Sequence, residues 1–489
     1  MKNVKSFEEI TEDRIGFGRY QYYLMILLGI IFLSDGMEMT ALSLIIPLLK
    51  KEWGISESLI GTLGSVMFLG LFLGSLLSGF ITDKLGRKKT LEVISLLQFI
   101  LGVYSTTINN VYIFLFIRGI FGFILGYVIP LVPTMCAEVI PMNLRGKVTV
   151  VINTIFSVGQ FLAAIISYFC LSNLSSGNWR LLLLICSIPP ILVWYGCVKY
   201  LRESPRFIIL KDDNIDDGIK ILNDIGKINK GDNFKEFNES DKISLKIWKE
   251  QMNNTHQNNF DDIFMNFKKL FSKSNNYRLI TTCMWIAWFG INFVLYGLIF
   301  ILPLFLNEWD LQRQSEKKNT EGIISFIITS LGEGASGILA YILVDTHTFG
   351  RKYSLTLAQV CSSLSCLTAY FISFEYGFLL ISVLTIGRFF AKMCFAVIYP
   401  FTAEIYPTNM RTLGIGMSSA FGRVAGCVMP LIAVKLFYID KYLPFISFFV
   451  VGIIGLAGTL SIPHDTRGRY LDMQDITSEK SQDLRKDLL

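Results

Sequence analysis

Apolar runs of about 20 residues, enough to cross a bilayer core as a helix, recur along the chain between short polar connectors. They fall near residues 22–48, 59–82, 90–108, 111–135, 147–171 and 180–200, then, after a polar interruption, near 278–306, 321–345, 353–373, 376–400, 413–437 and 444–462. The pattern predicts an all-α membrane protein of twelve transmembrane helices in two six-helix bundles, residues 21–206 and 278–462. Residues 1–20 and 463–489 are left as polar end segments and 207–277 as a linker. The linker stretches KDDNIDDGIKILNDIGKINKGDNFKEFNES and KEQMNNTHQNN are rich in Asn, Lys and Asp. The spacing of Ile219, Leu222 and Ile225 supports one short amphipathic helix at most, so partial disorder is expected there.

Composition agrees with a lipid environment. With 52% hydrophobic and 17% charged residues and a mean hydropathy of +0.49, the 489 residues hold too little polar surface to cover a soluble body. A soluble enzyme is excluded on that ground. Residues 1–20 are charged and no small-residue cleavage site follows the first run, so no cleavable signal is expected. Lys84, Arg87, Lys88 and Lys89 follow the second span, Arg145 and Lys147 the fourth, Arg351 and Lys352 the eighth, and Arg411 the tenth. The positive-inside rule then places these loops, the linker and both end segments in the cytoplasm, although Lys50, Lys51, Arg313, Lys317 and Lys318 lie on the opposite side. The plasma membrane or an organelle membrane is the expected location. The net charge of +6 follows from this loop bias and needs no nucleic-acid partner.

Chemistry beyond transport finds little support. The nine cysteines, among them Cys136, Cys170, Cys186, Cys283 and Cys427, are scattered through the spans and read as small apolar filler. His256, His347 and His464 share no ligand spacing, so no metal site is expected, and no cofactor motif is present. Of the sequons, Asn238 and Asn253 lie in the linker and Asn173 faces outward.

The two halves repeat. GFITDKLGRKKT after the second span returns as ILVDTHTFGRKY after the eighth, with the Asp-to-Gly spacing stretched by two residues. AEVIPMNLRG after the fourth returns as AEIYPTNMRT after the tenth, keeping Glu138, Pro141 and Arg145 in register with Glu404, Pro407 and Arg411.

These residues resemble the major facilitator superfamily. Its loop pattern G-x-x-x-D-x-x-G-R-K appears as Gly79, Asp83, Gly86, Arg87 and Lys88. LRESPRF follows the sixth span and PHDTRGR the twelfth, where sugar porters carry similar strings. FLSDGMEM and GRFFAKMCFAVIYPFTAEIYPTNMRTLGIGMSSAFGRVAGCVMP are similar to synaptic-vesicle-2-related proteins and organic ion transporters. The resemblance implies two bundles, related by an axis along the membrane normal, that rock about a site at the midplane. It also implies a gating latch at Asp83, Arg87 and Arg145, with Glu138 beside it and Asp345, Arg351, Glu404 and Arg411 as the counterparts in the second half. Asp83 can accept hydrogen bonds from a helix N-terminus and from nearby arginines. The alternative is a basic loop that only sets topology.

Within FLSDGMEMTALSLIIPLL, Asp35 and Glu38 share one helix face in mid-span, where a carboxylate costs on the order of 3 kcal/mol. Counting along the helices puts Glu38 roughly 14 Å below Pro47, Asp35 roughly 18 Å, and Arg118 of the fourth span roughly 10 Å below Val111. Glu38 is therefore the expected partner of Arg118. Burial and a neighbouring arginine push a carboxyl in opposite directions, so parting such a pair can switch proton uptake. Glu38, with Asp35, is expected to carry protons and Arg118 to switch them; a permanent structural ion pair is the alternative. In proton-coupled sugar and phosphate porters an acid of the first helix makes this pairing, and DGME is similar to their pattern.

The second half has the opposite balance. Glu333, Arg388, Lys392 and Arg423 fall near mid-span and sum to +2, against −1 for Asp35, Glu38 and Arg118. A surplus cation at that depth suggests an anionic guest. Organic anion transporters resemble the chain in carrying an arginine at the position of Arg423. A permanent Glu333–Arg423 pair is the alternative. Gln160, Trp285, Trp288, Asn292 and Tyr296 are candidate cavity residues, each equally suited to packing. Gly70, Gly74 and Gly79, Gly122 and Gly126, and Gly422 and Gly426 permit close helix approach. The expected function is proton-coupled symport of a small organic anion, pantothenate or nicotinate being the sharper expectation. The partners are that substrate, protons and membrane lipids. A sugar or polyol porter and a non-transporting nutrient sensor are the alternatives; the short segment beyond Pro463 counts against the sensor.

Overall fold

The computed structural model describes residues 7–211, 215–255, 268, 270–272, 276–312, 321–344, 350–406, 410–463 and 465. Asp345, Pro407, Arg313, Lys317, Lys318 and the three histidines lie outside the described residues, as do the side chains of Arg145, Lys147 and Asn253. Among those described, the chain is helical apart from a two-stranded hairpin, β1 (Leu171–Asn173) with β2 (Ser176–Gly177).

The first half comprises α1 (Phe7–Arg14), α2 (Arg19–Trp53), α3 (Glu57–Leu85), α4 (Arg87–Thr107), α5 (Val111–Val139), α6 (Met142–Cys170), α7 (Trp179–Cys186) and α8 (Pro189–Tyr200). The next three helices are α9 (Pro205–Lys211), α10 (Ile215–Lys230) and α11 (Glu239–Thr255). The second half comprises α12 (Tyr277–Gln312), α13 (Glu321–Val344), α14 (Gly350–Phe371), α15 (Gly377–Ile405), α16 (Arg411–Ile439) and α17 (Leu443–Leu460). Eleven helical segments among the described residues are long and apolar enough to cross a membrane, the α7–α8 pair counting as one. The twelfth predicted span is α14, present at full length but rich in serine. Its Ser354, Ser362, Ser363 and Ser365 are buried against the protein rather than turned to lipid. The outward surface carries large apolar side chains, such as Phe116, Phe169, Phe371 and Phe378, while buried charges sit inside. That is the polarity expected of a body solvated by lipid.

Clustering of contacts divides the chain into two units. The first holds Met1–Leu48, Val66–Ser172 and Ser176–Asn258, and the second Leu49–Ser65, Asn173–Ser175 and Asn259–Leu489. In the first, glycines bring helix backbones together: a Cβ on Gly70, Gly74, Gly122 or Gly126 would strike the facing backbone between α3 and α5, and one on Gly36 or Gly159 the backbone between α2 and α6. Gly79, grouped with them from sequence, meets nothing, so its role there is not packing. In the second unit α12 packs on α16 and α17, and α15 on α13 and α14.

One span carries a local break, and one expectation needs correction. The single span near 180–200 is broken at Ser187 and Ile188, because Pro189 and Pro190 lack the N–H groups that would bond the carbonyls of Ile185 and Cys186. The linker is also more structured than its composition suggests. Leu222 and Ile225 of α10 and Leu245 and Trp248 of α11 join one core with Phe7, Ile10 and Ile15. Phe7 stacks on Trp248 at 5.0 Å, Arg14 pairs with Asp241 at 2.8 Å, and Asn229 receives the Tyr20 amide at 2.9 Å. A weakly apolar helix is stable here because it docks, and its docking partner lies some 200 residues away in sequence.

Candidate functional site

Glu38 and Arg118 meet. Arg118 Nη1 donates to Glu38 Oε2 at 3.0 Å, both side chains being fully buried. Phe114 and Phe121 of α5 hold the guanidinium from its ring faces at 5.0 and 5.3 Å, a cation–π contribution that keeps the arginine in the span. Arg118 Nε and Nη2 have no hydrogen-bond partner among the described residues, so the contact there is a single hydrogen bond and not a bidentate clamp. The second carboxylate oxygen, Oε1, accepts the Ser187 hydroxyl at 2.9 Å. One turn away, Asp35 accepts from Gln98 Nε2 at 3.0 Å, and that amide also lies 3.3 Å from Ser34 Oγ. No cation stands within ion-pair distance of Asp35 among the described residues. Gln98 and Ser187 carry no sequence signature beyond being polar residues inside apolar runs.

In the second unit the pairing differs from the Glu333–Arg423 alternative. Glu333 of α13 takes Arg388 of α15, whose Nε donates at 2.5 Å and whose Nη1 donates to Thr329 at 2.9 Å and Ser330 at 3.3 Å. The reason is register: Thr329, Ser330 and Glu333 recur one turn apart on α13 and form a fork-shaped acceptor set for one guanidinium. Lys392, one turn along α15, holds its Nζ 5.4 Å from the Phe395 ring.

Arg423 is thereby left without a carboxylate. Of the three arginines buried beyond nine-tenths among the described residues, Arg118, Arg388 and Arg423, it alone has no ion pair. Its Nη1 reaches Ser419 Oγ at 3.3 Å and its Nε has no partner. Tyr296 stands near Arg423 and near Tyr399, and Tyr399 packs edge-on against Trp288 at 4.7 Å and Phe395 at 5.2 Å. Trp288 is tied to Thr402 at 2.9 Å, Asn292 to the Trp288 carbonyl at 2.8 Å, and Trp285 stacks on Phe421 at 3.9 Å, so these three have packing partners. Gln160 of α6 is fully buried with neither amide atom bonded, a cost of about 1–3 kcal/mol unless a ligand or water meets it.

At the helix ends, Arg87 bridges Asp83 at 3.1 Å and Glu138 at 3.0 Å, and Arg351 meets Glu404 at 3.0 Å. Arg411 opens α16. The helix N-terminus that sequence offered to Asp83 belongs to another acid. Glu203, from LRESPRF, accepts the backbone N–H groups of Arg87 at 2.8 Å and Lys88 at 3.1 Å, while Asp83 is 71% exposed. Gly86, at φ 93°, has no Cβ where that carboxylate sits. Asp465, from PHDTRGR, does the same for Lys352 N at 3.1 Å at the start of α14, behind Gly350 at φ 63°. Both motif strings are therefore helix caps supplied from elsewhere in their own half. Glu203→Ala is expected to cost about 1–2 kcal/mol, read as earlier thermal unfolding in detergent, with Asp465→Ala the matching control.

Twelve helices in two repeated sets, with ion pairs buried inside them, are the architecture of a transporter of the major facilitator type. The chain belongs to the sugar (and other) transporter family, whose model matches residues 22–475. It is 28% identical over 477 residues to the synaptic vesicle 2-related protein of Rattus norvegicus, covering 95% of this chain and 82% of that one. It is 27% identical over 490 residues to organic cation/carnitine transporter 7 of Arabidopsis thaliana, covering 94% of each. The niacin transporter NiaP of Acinetobacter baylyi is 26% identical over 465 residues, covering 94% of this chain and 98% of that one. The inward-open xylose transporter XylE from E. coli has the same fold, with a TM-score of 0.71 at 18% identity over 92% of this chain and 98% of that one.

Proposed function

We propose that the protein is a proton-coupled symporter of a small organic anion, with a monocarboxylate such as nicotinate or pantothenate as its substrate. The observation that carries this reading is Arg423, a buried guanidinium with a hydroxyl but no carboxylate beside it. A cation at that depth lacks compensation until an anion arrives. The substrate carboxylate supplies the missing charge and accepts from the nitrogens that Ser419 leaves free. NiaP, named for niacin, is consistent with a carboxylate; the Arabidopsis thaliana relative is named for organic cations and carnitine and lends an anion no support.

Coupling is assigned to the first half. Glu38 takes up a proton when Arg118 withdraws, and the single-bonded geometry of the pair makes that parting less costly than breaking a bidentate clamp. Asp35, with an amide as its sole hydrogen-bond partner on α4, relies on a proton for charge compensation. The Arg87 and Arg351 clusters act as gates on the cytoplasmic side, where the basic loops place them.

A sugar or polyol porter is the second reading, favoured by the unpartnered amide of Gln160, which suits hydroxyl groups. Uptake of labelled nicotinate, pantothenate and hexoses into proteoliposomes, with and without an inward proton gradient, separates the two. Gradient-stimulated carboxylate uptake is the expected result. Hexose uptake alone would overturn the anion assignment, and substitution of a sodium for a proton gradient would overturn the proton.

A further inference from the structure

The break in the sixth span lies against the buried ion pair, and one hydroxyl touches both. Ser187 Oγ stands 2.9 Å from Glu38 Oε1 and 2.7 Å from the Leu183 carbonyl, with a single proton to give. Leu183 O already accepts the Ser187 backbone N–H at 3.0 Å. Beyond it, Ile188 N reaches back to Ile185 O at 3.2 Å and Ile191 N to Ile188 O at 3.1 Å, so the helix tightens across Pro189 and Pro190. Ser187 is thus the last residue of α7's hydrogen-bonded turn and the second partner of Glu38.

The facing helix is shaped for this contact. Gly102 of α4 lies opposite, and a Cβ there would land on Ser187 Oγ while sitting 3.6 Å from Glu38 Oε1. The absent side chain leaves room for the hydroxyl to reach the carboxylate. The charged and titratable groups facing Glu38 are Arg118 of α5, Asp35 on its own helix and the Cys186 thiol of α7; α4 offers only the neutral Gln98 and Gly102.

We propose that Ser187 is a positioning residue for proton coupling, delivering its hydroxyl proton to Glu38 when the carboxylate is charged and to the Leu183 carbonyl when it is not. This rests on the reading of Glu38 as the proton site. A charged Glu38 holds the hydroxyl at 2.9 Å and with it the last turn of α7. A protonated Glu38 no longer demands a donor, and the hydroxyl caps the helix end alone. The charge state of α2 is in this way communicated to the proline break between α7 and α8, without any covalent step.

Two readouts on the purified, reconstituted protein test this. The first is the infrared carboxyl band that disappears in Glu38→Gln, titrated against pH. Ser187→Ala removes a hydrogen bond to a charged group and is expected to move the band's midpoint upward by about one pH unit. Gly102→Ala should produce a similar shift by displacing the hydroxyl, and Ser187→Thr, which keeps it, should restore the original midpoint. The second readout is the pH profile of transport, expected to move with the band. An unmoved midpoint in Ser187→Ala overturns the proposal. If Ser187→Ala cannot be purified folded, the shift in Gly102→Ala decides in the same way. A midpoint that shifts in a protein whose transport ignores pH would leave the Ser187 contact standing and remove proton coupling instead.

Discussion

Arg423→Ala is expected to raise the half-saturation concentration for carboxylate substrates by about 100-fold or more while leaving the protein as stable as before. The affinity loss follows from removing one member of a buried charge pair formed with the substrate, about 3 kcal/mol or more. The unchanged stability follows from the absence of any carboxylate partner among the described residues: no counter-charge there is stranded when the guanidinium goes. Arg118→Ala and Arg388→Ala should behave in the opposite sense, because each strands a fully buried glutamate and costs about 3–5 kcal/mol of stability. Initial rates of labelled nicotinate and pantothenate uptake, paired with thermal unfolding in detergent, measure both sides of the contrast. An Arg423→Ala protein with native affinity for every anion tried would end the carboxylate assignment.

Glu38→Gln should lose gradient-driven accumulation altogether but keep substrate exchange across the membrane. A gradient of one pH unit supplies about 1.4 kcal/mol per proton, enough for about tenfold accumulation of a neutral proton–anion pair. Without an exchangeable proton that factor collapses to one. Exchange survives because glutamine keeps one oxygen for Arg118, while its NH2 can donate to the Ser187 hydroxyl much as a protonated carboxyl would. Counterflow of labelled against unlabelled substrate is the direct measurement. Asp35→Asn, compared in the same assay, reports whether the second acid carries a proton of its own. Accumulation that persists in both variants would leave the Glu38–Arg118 pair a structural one.

How much of this was readable from the chain alone varies with how local the cause is. The spans, their number and the repeat follow from hydropathy and from motif strings ten to twelve residues long, so they were legible. The meeting of Glu38 and Arg118 was also legible, because depth along two helices is a one-dimensional count. Pairing in the second half was not: Glu333 could have taken Arg388 or Arg423, and the choice turned on which guanidinium faced Thr329 and Ser330 across a helix interface. Glu203 and Asp465 were visible as letters in motifs, but their use as caps for α4 and α14 depends on where the chain returns after the sixth and twelfth spans. The order in residues 215–255 was hidden for the same reason, since packing against α9 and α1, and not composition, stabilises α10 and α11.

By itself the sequence determined the solvent, the helices and the duplication, because burial in lipid is decided run by run from the side chains in each run. Tertiary structure alone decided which charges of the second half neutralise one another and which arginine there remains unpaired among the described residues. That outcome depends on rotation of helices about their axes and on contacts between side chains 55 residues apart, such as Glu333 and Arg388, and no local pattern encodes either.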